Sequence, residues 1–201
     1  MVLGCTIMKA IRPYVMRARA ESADRTRQRI LEATGNELWE RRVSEVRLED
    51  VAARAEVTVQ TVLRIFGSKS DLVELALEPV RRRIMRQRES AEPGDIEGTI
   101  SALFDHYEQM GDFVIRSLAE EQKLPELRES LERGRKAHRR SIQRQFAPQL
   151  AGREDKKLVL DCLVVACDVY TWKLLRRDAA RNRSEAEACV RHLVSRILEA
   201  A

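Results

Sequence analysis

Two short apolar stripes separated by two residues restrict this chain more than any other feature. Leu48, Val51, Ala52 and Ala55 stand at i, i+3, i+4 and i+7, the spacing that aligns side chains along one face of a helix. Glu49 and Asp50 occupy its first turn, where the exposed N–H groups favour negative charge. Beyond Glu56 and Val57, the residues Val59, Val62, Leu63 and Phe66 repeat the stripe from a cap at Thr58, and Gly67 ends it. Neither helix is long enough to be stable alone, so a third must cover both stripes. Residues 22–41 supply it, with Ile30, Thr34 and Leu38 at helical spacing and Leu31, Ala33 and Trp39 beside them.

A brace followed by two short helices and a tight turn is the helix-turn-helix arrangement, whose last helix enters the major groove of DNA. With Val62 and Phe66 turned inward, Thr58, Val59, Gln60, Thr61 and Arg64 remain to meet DNA. Arginine forks to guanine, glutamine pairs with adenine, and threonine bonds or touches a thymine methyl. Ser68 and Asp71 form a capping box for a fourth helix through Leu72, Val73, Ala76, Val80 and Ile84, and Pro79 is expected to kink it. Lys69 in its first turn is a candidate phosphate contact. Period and capping alone leave three ordinary helices with polar outer faces equally open. Charge adds a weak tilt: residues 1–90 hold 18 Lys and Arg against 13 Asp and Glu, whereas residues 91–201 hold 19 of each, so the whole excess is N-terminal.

The rest of the chain also reads as helix, and the expected fold class is all-α. Helices are expected at about 95–119, 126–146, 154–178 and 184–200, with Ser90–Asp95 as a break between helical layers and Ser184 and Glu187 capping the last helix. Leu158, Cys162, Val165, Ala166 and Val169 share one face, and Val159, Leu163, Tyr170 and Leu174 widen it around much of the circumference. Ala186, Val190, Leu193, Val194 and Ile197 make a second broad stripe in the last helix. Two such helices either pair with their copies in a four-helix dimer interface or lie in an internal core. The expected division is a basic arm without regular structure over 1–22, a helix-turn-helix domain over 23–70 and a helical ligand-binding and dimerisation domain over 71–201.

Several other classes find no support. No run of 18 apolar residues exists, so no membrane span is expected, and the apolar start is followed by Lys9, Arg12, Arg17 and Arg19 in place of a cleavage site. A cytoplasmic protein is the simpler expectation. Cys5, Cys162, Cys167 and Cys189 show no metal-like spacing with the three histidines, so neither a metal nor a disulfide framework is expected. There is no phosphate-cradling glycine loop, no H-E-x-x-H and no nucleophile motif; neither catalysis nor a cofactor is expected. The runs Arg81–Arg88 and Arg133–Arg140 read as solvated faces outside the reading head.

The stretch Leu48–Leu72 resembles the tetracycline-repressor (TetR) family of transcriptional regulators through Val51-Ala52, Ala55, Val57-Thr58, Thr61, Phe66, Ser68-Lys69 and Leu72. Thr26–Ala33 is similar to that family's first helix, so the resemblance spans about residues 25–77. It implies a homodimeric repressor of a double-stranded DNA operator, released by a small-molecule effector bound among the C-terminal helices. Phe104, Tyr107, Met110, Phe113 and Trp172 are the larger side chains available to line such a pocket, with His138 or Asp168 as a polar handle. Three departures bear on mechanism. Glu56 stands at the usual turn glycine, Leu63 replaces a phosphate-contacting tyrosine, and Arg47 takes the place of a Ser or Thr cap. They keep open an alternative, a dimeric ligand-sensing protein that has lost operator binding.

Overall fold

The computed structural model describes residues 5–199, and the side chains of 19–124 and 127–199. Among these residues all regular structure is helical. In order come α1 (Cys5–Glu40), α2 (Leu48–Arg54), α3 (Val59–Phe66), α4 (Lys69–Arg88), α5 (Ile96–Glu120), α6 (Pro125–Gln145), α7 (Ala147–Leu150), α8 (Lys156–Ala166), α9 (Val169–Lys173) and α10 (Arg183–Glu199). A 3-10 turn at Val43–Glu45 precedes α2, and a π-helical turn at Leu174–Asp178 follows α9. The chain divides into two units, Met1–Glu78 and Pro79–Ala201, so the boundary lies inside α4 and later than the expected residue 70. α4 runs on through Pro79, where the ring removes one backbone donor.

In the first unit, Ile30, Ala33 and Leu38 of α1 are buried with Val51, Ala52 and Ala55 of α2, Val62 and Phe66 of α3, and Leu72, Val73 and Ala76 of α4. Those are the periodic positions, and their burial explains why such short helices persist. The expectation of an arm without regular structure is corrected from Cys5 onward, because α1 starts there. Residues 5–22 lack an apolar stripe but are rich in alanine, arginine, methionine and glutamate, which favour helix without any packing. Residues 1–4 of that arm lie outside the described residues.

Charged groups tie α1 to α2. Glu37 of α1 is only 2% exposed, and Arg54 Nε lies 3.2 Å from its Oε1 and Arg41 Nε 3.5 Å from its Oε2. Arg54 also grips Glu40 with two bonds of 3.0 and 2.8 Å, and Arg41 meets Asp50 at 2.8 Å. Both arginines thus hold the carboxylates of the brace against the first helix of the turn motif.

In the second unit, Ile100, Leu103, Phe104 and Tyr107 of α5 pack with Ile142 of α6, Phe146, Leu150 of α7, Val159, Leu160 and Leu163 of α8, Trp172 of α9, and Ala186, Val190 and Val194 of α10. Gly111 is required here: a Cβ would overlap the Trp172 ring. Trp172 Nε1 donates to Glu108 at 2.9 Å, Glu108 pairs with Arg176, and the Arg177 guanidinium covers the Trp172 ring at 4.5 Å.

The expected helix 154–178 is corrected to α8, α9 and the π-turn. Asp168 ends it, because its side chain accepts from Tyr170 N–H at 2.9 Å and caps α9 instead of continuing α8. Its broad apolar surface also splits. Val159, Leu163, Ala166 and Val169 enter the core, while Leu158 and Val165 are 65% and 67% exposed and Tyr170 and Leu174 lie outside with them. In α10, Ala186, Val190 and Val194 are buried and Leu193 is exposed. The box that caps α10 joins Asn182 and Glu185, not Ser184 and Glu187: Glu185 N–H donates to Asn182 Oδ1 at 2.9 Å, and Asn182 N–H to Glu185 Oε2 at 3.0 Å. The break at Ser90–Asp95 is pinned by backbone bonds, with Gly94 N–H donating to the Gln145 carbonyl at 2.7 Å. Asp95 then caps α5 through Gly98 N–H at 2.9 Å.

Candidate nucleic-acid interface

α3 starts at Thr58, whose hydroxyl accepts from Thr61 N–H at 3.2 Å and lies 3.0 Å from the Thr61 hydroxyl. With Val62 and Phe66 buried, Gln60 and Arg64, one turn apart, stand exposed on the other side, and Leu63 is half-buried between them. Thr58 is exposed as well, whereas Val59 and Thr61 are half-buried. Arg27 of α1 lies over the Phe66 ring at 4.8 Å and backs the helix from its buried side. The exposed face is thus polar and narrow, and it stands on a braced helix.

Each of the three departures has a structural counterpart. Arg47 precedes α2 in extended conformation, and its side chain makes no capping bond. Arg47→Ser should restore one, stabilising the head by about 1 kcal/mol, read as a raised midpoint in urea unfolding. Glu56 adopts a left-handed conformation, φ +53°, which its Cβ disfavours. Its ion pair with Arg29, at 3.5 Å, is exposed and offsets little of that strain. Glu56→Gly is therefore expected to stabilise the head by roughly 0.5–1 kcal/mol, net of glycine's greater unfolded entropy. It also removes a negative charge beside the N-terminus of α3, so thermal unfolding and DNA titration should both move upward. A fall in thermal midpoint would contradict the strain argument. At position 63 the leucine leaves no hydroxyl to offer a phosphate.

Lys69 stands at the start of α4, not on the exposed face of α3. Its Nζ donates to the Val43 carbonyl at 3.1 Å and so ties the 3-10 turn to α4. Asp71 N–H donates to Ser68 Oγ at 3.1 Å, and the Ser68 hydroxyl to Asp71 at 2.6 Å, which sets the first turn of α4.

The residues suggested for an effector pocket gather unequally in the second unit. Phe104, Tyr107, Asp168 and Trp172 line a small cavity with Ile100, Leu103, Ala166, Cys167 and Val190, and it has room for about one water molecule. Met110 and Phe113 are buried but do not line it. The Tyr107 hydroxyl donates to the Cys167 carbonyl at 2.9 Å, and burial pushes both the phenol and the Cys167 thiol upward, the thiol to about 12. His138 sits beside this wall, its Nε2 3.3 Å from the Val164 carbonyl and 3.9 Å from Asp168.

Two residues of this region were not singled out by sequence. Arg88 is buried, which corrects the reading of the whole Arg81–Arg88 run as a solvated face, and His106 is buried beside Tyr107. A helical tally of α5 places His106 one turn from Leu103 and Met110, the only signal that marked it as inward.

A braced pair of short helices with one polar outer face defines a helix-turn-helix DNA-binding protein. Residues 30–76 match the family model described as bacterial regulatory proteins, tetR family, and the chain is a DNA-binding transcriptional regulator of that family. The fold is also that of solved structures. A putative transcriptional regulator from Pseudomonas aeruginosa PAO1 aligns with a TM-score of 0.69 at 16% identity, covering 87% of this chain and 91% of that one. A transcriptional regulator from Rhodococcus sp. Rha1 gives 0.65 at 16% identity over 86% and 96%. A tetR-family regulator from Streptomyces coelicolor gives 0.64 at 17% over 87% and 79%. At such identities the likeness bears on the fold, which in each pair extends across both units. None of the curated proteins matches the sequence. Among the described residues, no helix is long and apolar enough to cross a membrane.

Proposed function

We propose that this regulator reads a specific operator as a homodimer and releases it when a small molecule binds the second unit. The observation that carries the reading of DNA is the exposure of Gln60 and Arg64, one turn apart, on the face of α3 opposite Val62 and Phe66. Thr58, Val59 and Thr61 extend that face toward the helix N-terminus, and Lys69 contributes positive charge beside it. Pairing supports the dimer: α8 and α10 pack together, and Leu158, Val165, Tyr170, Leu174 and Leu193 leave an apolar surface on them that a second copy would cover. Two copies would present their α3 helices to half-sites about 34 Å apart. An effector that favours another spacing would release DNA, acting through α4, the helix that continues past Glu78 into the second unit. A cytoplasmic protein that represses without catalysing a reaction follows from that reading.

Selection of bound sites from random DNA tests it. A two-fold symmetric site is expected, and binding to all sequences alike at every salt concentration would overturn it in favour of a sensor that no longer reads DNA. Given the site, Arg64→Ala should weaken binding by about 10- to 100-fold and relax discrimination at one position per half-site. Lys69→Ala should weaken all sequences alike. Unchanged affinity and preference in Arg64→Ala would remove that residue from the reading face.

A further inference from the structure

The second unit holds a positive charge inside it without a negative partner. Arg88, at the C-terminal end of α4, is 9% exposed, yet its guanidinium pairs with no carboxylate among the described residues and its Nε has no hydrogen-bond partner. Around it lie more orphaned polar atoms: Nδ1 of His106, Nδ1 of His138 and Oε1 of Gln145 are buried and unpartnered as well. His106 and His138 are 2% and 7% exposed. Gln145 faces the same place, since its Nε2 donates to the Arg88 carbonyl at 2.8 Å. The Arg88 guanidinium lies 5.9 Å from the centre of the Tyr107 ring, and His106 stacks at 5.0 Å from the same ring. Tyr107 is a wall of the apolar cavity described above, so the charge borders that cavity.

A buried guanidinium is normally tolerated only when a carboxylate or several acceptors compensate its lost hydration. Here the acceptors are missing on one side, although nothing prevents apolar side chains from filling such a space. Asp168 is the nearest acid, and it is committed to capping α9 with one oxygen while the other lies toward His138. The vacancy therefore has the chemistry of one negative charge that is not covalently part of the chain. Planar, forked donors match a carboxylate in particular.

We propose that this cluster is the anion subsite of the effector pocket: Arg88 takes the carboxylate of a compact organic acid, His106, His138 and Gln145 surround it, and the acid's apolar body enters the cavity lined by Leu103, Phe104, Tyr107 and Trp172. The proposal rests on the reading that the second unit binds a small molecule, and it adds the chemical class. The imidazoles fit the role as neutral donors. Their N–H groups can turn to the carboxylate without bringing a second buried charge.

The experiment uses the full chain with propionate and benzoate as probes, against propionamide and benzamide as neutral counterparts of similar shape, all at constant ionic strength. The acids are expected to raise the thermal midpoint in a saturable way, and the amides not. In Arg88→Met the affinity for both acids should fall at least about tenfold, while the midpoint without ligand holds or rises by a few degrees, since an uncompensated buried charge has been replaced by an apolar chain. Amides that bind as well as acids, acids that leave the wild-type midpoint unmoved, or an Arg88→Met variant that binds acids as the wild type does would each overturn the proposal. DNA titration in the same samples separates the two readings. Acids that bind through Arg88 without weakening DNA binding leave the subsite standing and sink the effector role; amides that bind and release DNA do the reverse.

Discussion

Lowering the pH from 7 to 5 is expected to cost the second unit about 4 kcal/mol of stability. Burial is the main cause, because it disfavours the charged imidazole: it brings His106 down to about 3 and His138 down to about 4. The Arg88 charge adds to both shifts, and His138 adds to that of His106. The Val164 carbonyl and Asp168 pull His138 the other way without prevailing. An unfolded chain takes up these protons near pH 6.5, whereas the folded one refuses them until pH 3 to 4. The stabilisation is thus complete above about 6.5 and is lost as the pH falls toward the folded values, at about 1.4 kcal/mol per pH unit and group. Thermal unfolding between pH 7 and 5 would show it as a steep fall in midpoint. Replacing both histidines by glutamine should flatten that profile. A midpoint independent of pH over this range would mean that the imidazoles are not held neutral by burial.

Arg54→Met is expected to destabilise the head by about 3 kcal/mol, at the low end for breaking a buried ion pair. The exposed bonds to Glu40 contribute little to that figure. Most of the cost arises at Glu37, which stays buried and keeps only Arg41, at 3.5 Å, as a charged neighbour. Urea unfolding of the variant measures it, and Glu37→Gln in the Arg54→Met background discriminates the cause. If the buried carboxylate is responsible, the double variant recovers part of the loss. A double variant less stable than either single one would place the cost in lost packing of the arginine stem instead.

The head was the most legible part of the chain because its helices are short and one-sided. At Val51, Ala52 and Ala55, and again at Val62 and Phe66, only one face is apolar, so periodicity and burial have to agree. Glu56 was visible as a conflict for the same reason: the tight turn needs a left-handed residue, and glutamate takes that conformation at a cost. In the second unit the same procedure lost resolution. A helix apolar around most of its surface does not say which side is inward, and the pattern ranked Leu158 and Val165 with Ala166 although two of them are exposed and one is buried. Asp168 looked like a polar handle on a continuous helix. Its side chain instead captures a backbone N–H and ends α8, because local competition of this kind leaves no trace in hydrophobic spacing.

Local order therefore decided the class of fold and the two-helix reading motif, since caps, periodicity and charge act over one or two turns and the residues within that reach are adjacent in sequence. What lies inside the second unit depended on packing between distant helices. Arg88 is one of five arginines between residues 81 and 88. Nothing within its own helix separates it from the other four. It is buried because Gln145, fifty-seven positions away, holds the end of α4 and Tyr107 of α5 passes beneath the guanidinium. Burial belongs to the assembled helices, and with it come the unpaired charge and the two neutral imidazoles beside it.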